Sequence, residues 1–203
     1  NGNNLEKKFL DTEKKLKVRP NILLAHNYKD FLNEKFHKQL IHLKKKYNIK
    51  IGVSVYTSNE IKKVINFYKI DVVQLPISIL DQRLLNGNIL QKLKKKKIEI
   101  HARSIFFKGV VFKNLNKFKA NKFLFESLKE LDKFRKKKLS MSSKCLCWVL
   151  GLKEIDKVVI GIENFSQLKK NINQVNIKMI NEMKKIKIDT SNIKNKYLDL
   201  RNW

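Results

Sequence analysis

The sequence has few of the residues that interrupt or crosslink a chain. It contains two prolines, six glycines and two cysteines among 203 residues, and no Gly/Ser/Pro-rich stretch that would indicate a linker between domains. No apolar run approaches the ~18 residues that a membrane-spanning helix requires. Because 42% of the residues are hydrophobic, the chain has enough apolar surface for a core, and a disordered tail is excluded.

The two cysteines, Cys145 and Cys147, lie close together in the apolar segment KCLCWVL. Neither has a Cys or His partner at metal-ligand spacing, and side chains two residues apart on a helix do not face one another. The sequence therefore predicts buried thiols, no metal site and a reducing compartment. We expect a cytoplasmic protein with no membrane partner.

Acidic residues are scarce, with 18 Asp and Glu against 46 Lys and Arg and a net charge of +28. Such a charge raises the alternative of a nucleic-acid-binding module. Only five basic residues are arginine, which is the residue suited to bidentate recognition of phosphates and bases. The lysines are scattered over nearly every predicted helix, so we expect only weak, salt-sensitive binding to polyanions and no specific nucleic-acid partner.

Five short apolar runs are spaced along the chain like the strands of a (β/α) barrel. They are Ile22 to His26, Ile51 to Val55, Val72 to Gln74, Ile98 to Arg103 and Val158 to Gly161. Barrel enzymes build their chemistry at the C-terminal ends of the strands, so the functional residues are expected at these ends. In the run IEIHAR, alternation places Glu99, His101 and Arg103 on one face of the strand.

The segments between these runs have the periodicity of amphipathic helices. The predicted helices are residues 4–17, 31–46, a segment beginning at Ser58, 88–96, 121–137, 140–150 and a segment after an N-cap at Ser166. Five strand and helix units are counted where a closed barrel has about eight. We therefore predict an α/β fold of the (β/α)8 type, with residues 1–203 as one partial domain whose N-terminal part, roughly 90 residues, is absent.

Six segments in order give the chain a resemblance to a known family. They are LLAHN (23–27), KIGVSVY (50–56), IDVVQLPISILDQRLL (70–85), IEIHARSIFFKGVVF (98–112), KVVIGIENFSQLKKNI (157–172) and YLDLRNW (197–203). On these segments the chain resembles the aldo/keto reductase family, and its bacterial branch in particular. The resemblance implies reduction of a small carbonyl compound by hydride transfer from NADP or NAD. The compound is an aldehyde or ketone, with sugar-related compounds among the candidates.

By this resemblance, His26 is the catalytic histidine that orients the carbonyl. A neutral imidazole can donate a hydrogen bond to the oxygen on which negative charge develops. Without the surrounding motif, a structural hydrogen bond at a strand end would be the simpler role for this side chain. The resemblance implies that seven further residues contact the cofactor, namely Ser54, Gln74, Arg103, Ser104, Gly161, Gln167 and Asn171.

Several of these positions depart from the family pattern. Val55 replaces an asparagine beside Ser54, and Arg103 takes the place of an aromatic residue that stacks on the nicotinamide ring. Gly161 and Ile162 stand where many members bind a 2′-phosphate, and Gln167 stands at the position of a phosphate-binding arginine. We therefore predict that NAD and NADP bind within about tenfold of each other, or ~1.4 kcal/mol.

The aspartate, tyrosine and lysine of the family's catalytic tetrad belong to strands that precede this sequence. We therefore predict that the chain by itself is inactive, since general acid catalysis needs the proton donor. The alternative is a noncatalytic cofactor-binding or scaffold protein with the same fold. The sequence leaves the substrate and the oligomeric state open.

Overall fold

The computed structural model describes residues 5–114, 125–126, 129, 131–132, 140–191, 193, 198–199 and 201. The strands within these residues are β1 (Ile22–Ala25), β2 (Lys50–Ser54), β3 (Val72–Pro76), β4 (Glu99–Arg103) and β5 (Lys157–Val158). The helices are α1 (Leu5–Leu16), α2 (Tyr28–Leu32), α3 (Glu34–Tyr47), α4 (Ser58–Phe67), α5 (Ile89–Lys95), α6 (Met141–Leu150), α7 (Phe165–Asn173) and α8 (Ile177–Met183). A 3₁₀ segment spans Phe107–Phe112.

The strands form a five-stranded parallel sheet in the order β1-β2-β3-β4-β5. Strands and helices alternate, as expected for part of a (β/α)8 barrel, so the predicted α/β fold class is confirmed. The chain divides into two compact units. Unit 1 is Asn1–Leu75 with Gln91–Ile100, and unit 2 is Pro76–Leu90 with His101–Trp203. Whether the whole chain behaves as a single domain stays a prediction.

The predicted strands agree with the structure to within two residues, except for the last. β5 comprises only Lys157 and Val158, which pair with His101 and Ala102 of β4. Of the predicted helix at residues 121–137, residues 125, 126, 129, 131 and 132 are helical, and the remainder lies outside the described residues.

No helix in the described part of the chain is long and apolar enough to cross a membrane.

Two predicted helix boundaries were wrong, each because a side chain caps the helix at another residue. The predicted helix at 31–46 is two helices, since Asn33 ends α2 and its side chain accepts a hydrogen bond from the Phe36 N–H of α3. The predicted start of α4 at Ser58 is confirmed, and the Thr57 side chain caps this helix by accepting a hydrogen bond from the Glu60 N–H. Asn164, rather than Ser166, caps α7. Asn and Thr are strong N-caps because their side-chain oxygens satisfy free N–H groups of the first turn.

Unit 1 is stabilised by a charged contact between α3 and the sheet. Lys44 Nζ lies 2.6 Å from both carboxylate oxygens of Asp71, which precedes β3. Asp71 Oδ2 also accepts a hydrogen bond of 2.9 Å from the Ile51 N–H in β2. The Asp71 carboxylate therefore connects α3 to the beginnings of β2 and β3 through charge-assisted hydrogen bonds.

His37 is a buried titratable side chain in α3 of unit 1. Its ring stacks on Tyr68 at 3.6 Å between centroids and contacts the edge of Phe31 at 4.9 Å. Its Nδ1 atom is buried and has no hydrogen-bond partner among the described residues. Burial lowers the pKa of His37 below its ordinary value, because the charged imidazolium is poorly solvated there.

We expect the stability of the chain to fall as the pH is lowered through about 6.5, where an unfolded histidine takes up a proton. Folded His37 resists protonation, so the unfolded state binds more protons in this range and stability decreases with decreasing pH. The stabilising effect of neutral His37 is fully present above the pKa of an unfolded histidine. Urea unfolding of the chain and of His37→Phe at pH 7.5 and 5.5 measures the effect. A pH dependence that is the same in both proteins would contradict this assignment.

In unit 2, the centre of the core is α6, in which residues Ser143 to Val149 are all buried. Trp148 Nε1 donates a hydrogen bond of 3.1 Å to the Ile186 carbonyl, beyond the end of α8. Cys145 and Cys147 are buried thiols that form no disulfide, as the sequence predicts. Burial raises the pKa of the Cys147 thiol, which keeps it protonated and unreactive.

Candidate functional site

The eight predicted site residues fall into two groups, one in each unit, and each group is described within its own unit. In unit 1, three of them lie at the ends of adjacent parallel strands. Ser54 pairs with Gln74 in the β2–β3 register. Ala25 pairs with Val53, which leaves His26 one residue beyond the last paired residue of β1. The sequence therefore correctly places three candidate polar side chains at the carboxyl edge of the sheet.

These strand ends differ in exposure. Ser54 is buried, Gln74 is half-buried and His26 is exposed. The backbone around them is fixed, since the Val55 N–H donates to the Gln74 carbonyl at 2.9 Å. An exposed imidazole beside a buried hydroxyl and an amide is an arrangement that can hydrogen-bond a polar ligand from several sides.

In unit 2, Arg103 and Ser104 end β4 and begin the following loop. The Ile77 N–H donates to the Arg103 carbonyl at 3.2 Å, which pins the strand end. Arg103 Nη1 donates to Ser104 Oγ at 3.2 Å. Ser104 has a φ of 58°, an uncommon left-handed conformation for a residue with a side chain.

The loop after Ser104 returns to the left-handed conformation at three consecutive residues. Phe107, Lys108 and Gly109 have φ angles of 47°, 49° and 78°. Left-handed residues other than glycine cost roughly 1 kcal/mol or more each and concentrate at ligand-binding sites. The rings of Phe106 and Phe112, on either side of this turn, lie 5.3 Å apart. The loop therefore presents an aromatic pair and a lysine on a strained backbone.

Unit 2 also contains a cavity of about 700 Å³ between this loop and the start of α7. The loop contributes Phe106, Lys108, Gly109 and Phe112, and α6 contributes Ser142. The segment after β5 contributes Gly161, Ile162, Glu163, Gln167, Lys170 and Asn171. Three predicted cofactor residues, Gly161, Gln167 and Asn171, thus line one cavity.

Gln167, Asn171 and Gly161 have different local surroundings at the cavity. The Asn164 side chain caps α7 by accepting a hydrogen bond of 2.9 Å from the Gln167 N–H. One turn further along α7, Asn171 is 7% exposed and is the buried residue of this helix. A Cβ added at Gly161 would meet no atom within 4 Å, so a side chain at this position would extend into open space.

Seven cavity residues were missed by sequence reasoning: Phe106, Lys108, Gly109, Phe112, Ser142, Glu163 and Lys170. In a chain with so many lysines, nothing in the pattern distinguishes Lys108 and Lys170 from solvent-facing positions. Gly109 was the available sign, because glycine is the residue used where a tight turn needs a left-handed backbone or where the backbone lies close to a ligand. Within the described residues, no group of three or more His, Cys, Asp or Glu side chains could bind a metal ion.

A parallel sheet whose strands alternate with helices is the arrangement of a (β/α) barrel-type fold, the class in which sites are built at the carboxyl ends of the strands. The family model of the aldo/keto reductase family matches residues 1–192 of the chain. The chain therefore belongs to the aldo/keto reductase family. A comparison with curated proteins gave no match.

Solved structures of bacterial aldo-keto reductases share the fold. Aldo-keto reductase AKR11C1 from Bacillus halodurans, in its apo form, matches with a TM-score of 0.69 and 16% identity, over 89% of this chain and 66% of that chain. Its holo form gives the same TM-score over 65% of that chain. The thermostable aldo-keto reductase Tm1743, solved with the inhibitor epalrestat, matches at a TM-score of 0.61 and 16% identity, over 89% of this chain and 65% of that one. The chain thus spans just under two thirds of these proteins.

Proposed function

We propose that the chain serves the NAD(P)-dependent reduction of a small carbonyl compound, an aldehyde or ketone with sugar-related compounds among the candidates, and that the cavity in unit 2 binds the adenosine half of the cofactor. The observation that supports this most directly is that Gly161, Gln167 and Asn171, which the family resemblance assigns to cofactor binding, line one cavity. Membership of the family supports the reaction class. We further propose a cytoplasmic location, supported by two buried cysteines that keep their thiol form.

The cavity suits an adenosine phosphate in size and chemistry. Its volume of about 700 Å³ is within the range of roughly 300–1,000 Å³ that is usual for small-molecule sites. Phe106 and Phe112 offer aromatic faces on which a base can stack. The Asn171 amide can both donate to and accept from a purine edge. Lys108 and Lys170 add positive charge for phosphate groups.

The nicotinamide end is assigned to the strand ends. By the family resemblance, Ser54 and Gln74 are proposed to bond the carboxamide, and Arg103 and Ser104 are proposed to contact the cofactor. When bound, the nicotinamide ring supplies the hydride that reduces the carbonyl carbon. His26 would donate a hydrogen bond to the carbonyl oxygen, which orients the substrate and stabilises the developing negative charge.

We assign no residue of this chain to proton donation, since the family's tyrosine, lysine and aspartate have no counterpart in the matched segments. The chain alone is therefore proposed to bind cofactor without turnover. We also propose that NAD and NADP bind within about tenfold of one another. The loss of an arginine at Gln167 supports this, because an amide gives a 2′-phosphate no charge-assisted bond.

The test is a titration of the chain with NADPH, followed by the change in cofactor fluorescence. We expect saturable binding, and about tenfold weaker binding for Asn171→Ala, because a lost hydrogen bond to a bound base costs about 1–1.5 kcal/mol. Asn173→Ala is the matched control, since Asn173 is exposed at the end of the same helix and does not line the cavity. Equal loss in both variants, or no saturable binding at all, would overturn the proposed cofactor site.

A further inference from the structure

The edge of the sheet at which the strands of unit 1 begin lies opposite the edge that carries His26, Ser54 and Gln74. β1, β2 and β3 are parallel. The Glu99 N–H, at the start of β4, donates to the carbonyl of Asp71, just before β3, at 2.8 Å. The four strands therefore begin side by side at one edge.

Each of these strands directly follows a helix, so the ends of four helices meet at the same edge. The loops that join α1 to β1, α3 to β2, α4 to β3 and α5 to β4 are two to five residues long. Lysine in the last turn of a helix interacts favourably with the helix dipole. Here the last turns and the loops together present eight exposed lysines, called the basic edge below: Lys14, Lys15, Lys17, Lys45, Lys69, Lys95, Lys96 and Lys97.

The basic edge is not neutralised by the acidic residues beside it. Three of these are each held by a cation outside the set of eight: Glu13 by Arg19 at 2.9 Å, Asp71 by Lys44 at 2.6 Å and Glu99 by Lys50 at 2.5 Å. Their charge is therefore already paired. The eight lysines give this edge a positive potential that attracts a polyanionic partner.

Three large apolar side chains are exposed at the same edge. Leu16 ends α1 and is 58% exposed, Val18 lies in the following loop and is 63% exposed, and Phe67 ends α4 and is 72% exposed. The helix dipole explains lysines at helix ends, but it does not explain these three residues. Exposed apolar side chains among lysines are typical of proteins that lie on a bilayer, because the apolar groups enter the interface while the ammonium groups reach the lipid headgroups.

The residue types favour an anionic bilayer over two other occupants of this edge. A second copy of the chain would bring together surfaces of like charge, since the net charge is +28. Nucleic acids are bound by arginine and by platforms of several aromatic residues. Arg19 at this edge is already bonded to Glu13 and lies 5.2 Å from the centre of the Tyr47 ring. An anionic lipid surface needs only point charges, which lysine supplies.

We propose that the basic edge of unit 1 binds the surface of a bilayer that contains anionic lipids, with the three exposed apolar side chains entering the interface. The sequence predicts no membrane partner because its lysines are scattered along the chain, whereas the fold brings eight of them to one edge. Binding in this way directs the opposite edge of the sheet, with its candidate polar residues, away from the bilayer. It does not depend on the cofactor site in unit 2.

Sedimentation of the full chain with lipid vesicles tests this binding. We expect binding to vesicles of equal parts phosphatidylcholine and phosphatidylserine, and none to phosphatidylcholine alone. The double variant Lys95→Gln with Lys96→Gln should bind more than tenfold more weakly, because each lysine near an anionic surface contributes about fivefold. The matched control is Lys29→Gln with Lys35→Gln. These exposed lysines lie at the beginnings of α2 and α3, at the opposite edge, and their loss changes the net charge equally.

A second variant tests the apolar part of the contact. Phe67→Ser is expected to weaken vesicle binding about fivefold, because the ring no longer contributes apolar surface to the interface. Phe165→Ser is the matched control, since Phe165 is 76% exposed and belongs to unit 2. Circular dichroism spectra equal to that of the unchanged chain establish that all four variants are folded.

The results that would overturn the proposal are distinct. Absence of binding to the anionic vesicles excludes the bilayer as the partner. An equal loss in the two lysine variants means that the total charge of the chain, and not the basic edge, determines binding. An unchanged affinity for Phe67→Ser, with tighter binding to polyuridylate than to vesicles, assigns the edge to a nucleic acid instead.

Discussion

Replacing Gly52 with alanine is expected to destabilise unit 1 by more than about 3 kcal/mol, a large part of the ~5–15 kcal/mol that stabilises a typical domain. Gly52 lies in β2, between its register partners Leu24 of β1 and Val72 of β3. A Cβ at this position would overlap the Val72 carbonyl oxygen and lie 2.8 Å from Leu24 Cδ2. A backbone atom in the middle of a sheet cannot move aside without disrupting the strand pairing.

Urea unfolding followed by circular dichroism measures this loss as a lower midpoint for Gly52→Ala. Gly161→Ala is the matched control, because nothing lies within 4 Å of a Cβ at Gly161. The control is expected to change the free energy of unfolding by less than about 0.5 kcal/mol. If the two variants have similar midpoints, the close approach of β2 and β3 at Gly52 is not as tight as the structure indicates.

The strands could be predicted from the sequence because a parallel sheet is covered on both faces. Such strands are continuous apolar runs, and β2 illustrates this with Ile51 and Val53 fully buried and Ser54 6% exposed. β5 was predicted to be longer than it is, because the apolar run continues to Ile160 while only Lys157 and Val158 pair with β4. Hydrophobicity indicates where a strand lies, but it does not determine the last residue that pairs with the neighbouring strand.

The helix boundaries were harder to predict for a related reason. The apolar periodicity of residues 31–46 continues across Asn33, so the pattern alone predicts one helix. The interruption depends on a single side-chain bond from the Phe36 N–H to Asn33 Oδ1, 3.1 Å long. Residues that lie on strand ends, such as His26 and Gln74, were predictable as site candidates. Glu163 was not, since its position depends on a hydrogen-bonded pair with Gln167 that leaves no periodic trace.

Two of the segments that carry the family resemblance contact each other in unit 2. Arg83, in IDVVQLPISILDQRLL, donates from Nε to Asp81 Oδ1 and from Nη2 to Asp81 Oδ2, both at 2.8 Å. Arg83 Nη2 also donates to the Leu198 carbonyl at 3.0 Å, and Leu198 belongs to YLDLRNW. The Asp81 and Arg83 side chains are only 3% and 16% exposed, so this is a bidentate ion pair with little access to water.

Removing the acidic partner, as in Asp81→Ala, is expected to destabilise unit 2 by about 3–5 kcal/mol, because it leaves a buried guanidinium without its counter-charge. The double variant Asp81→Ala with Arg83→Met should recover part of this loss, since it removes both charges and keeps an apolar stem of similar length. Thermal and urea unfolding of the two single variants and the double variant give the coupling free energy.

The exposed pair of Lys38 and Glu34 is the control, with side chains 75% and 73% exposed, and Glu34→Ala should change the midpoint little. A double variant no more stable than Asp81→Ala would show that the loss reflects the fold of the loop at Asp81, and that the unpaired charge of Arg83 contributes little.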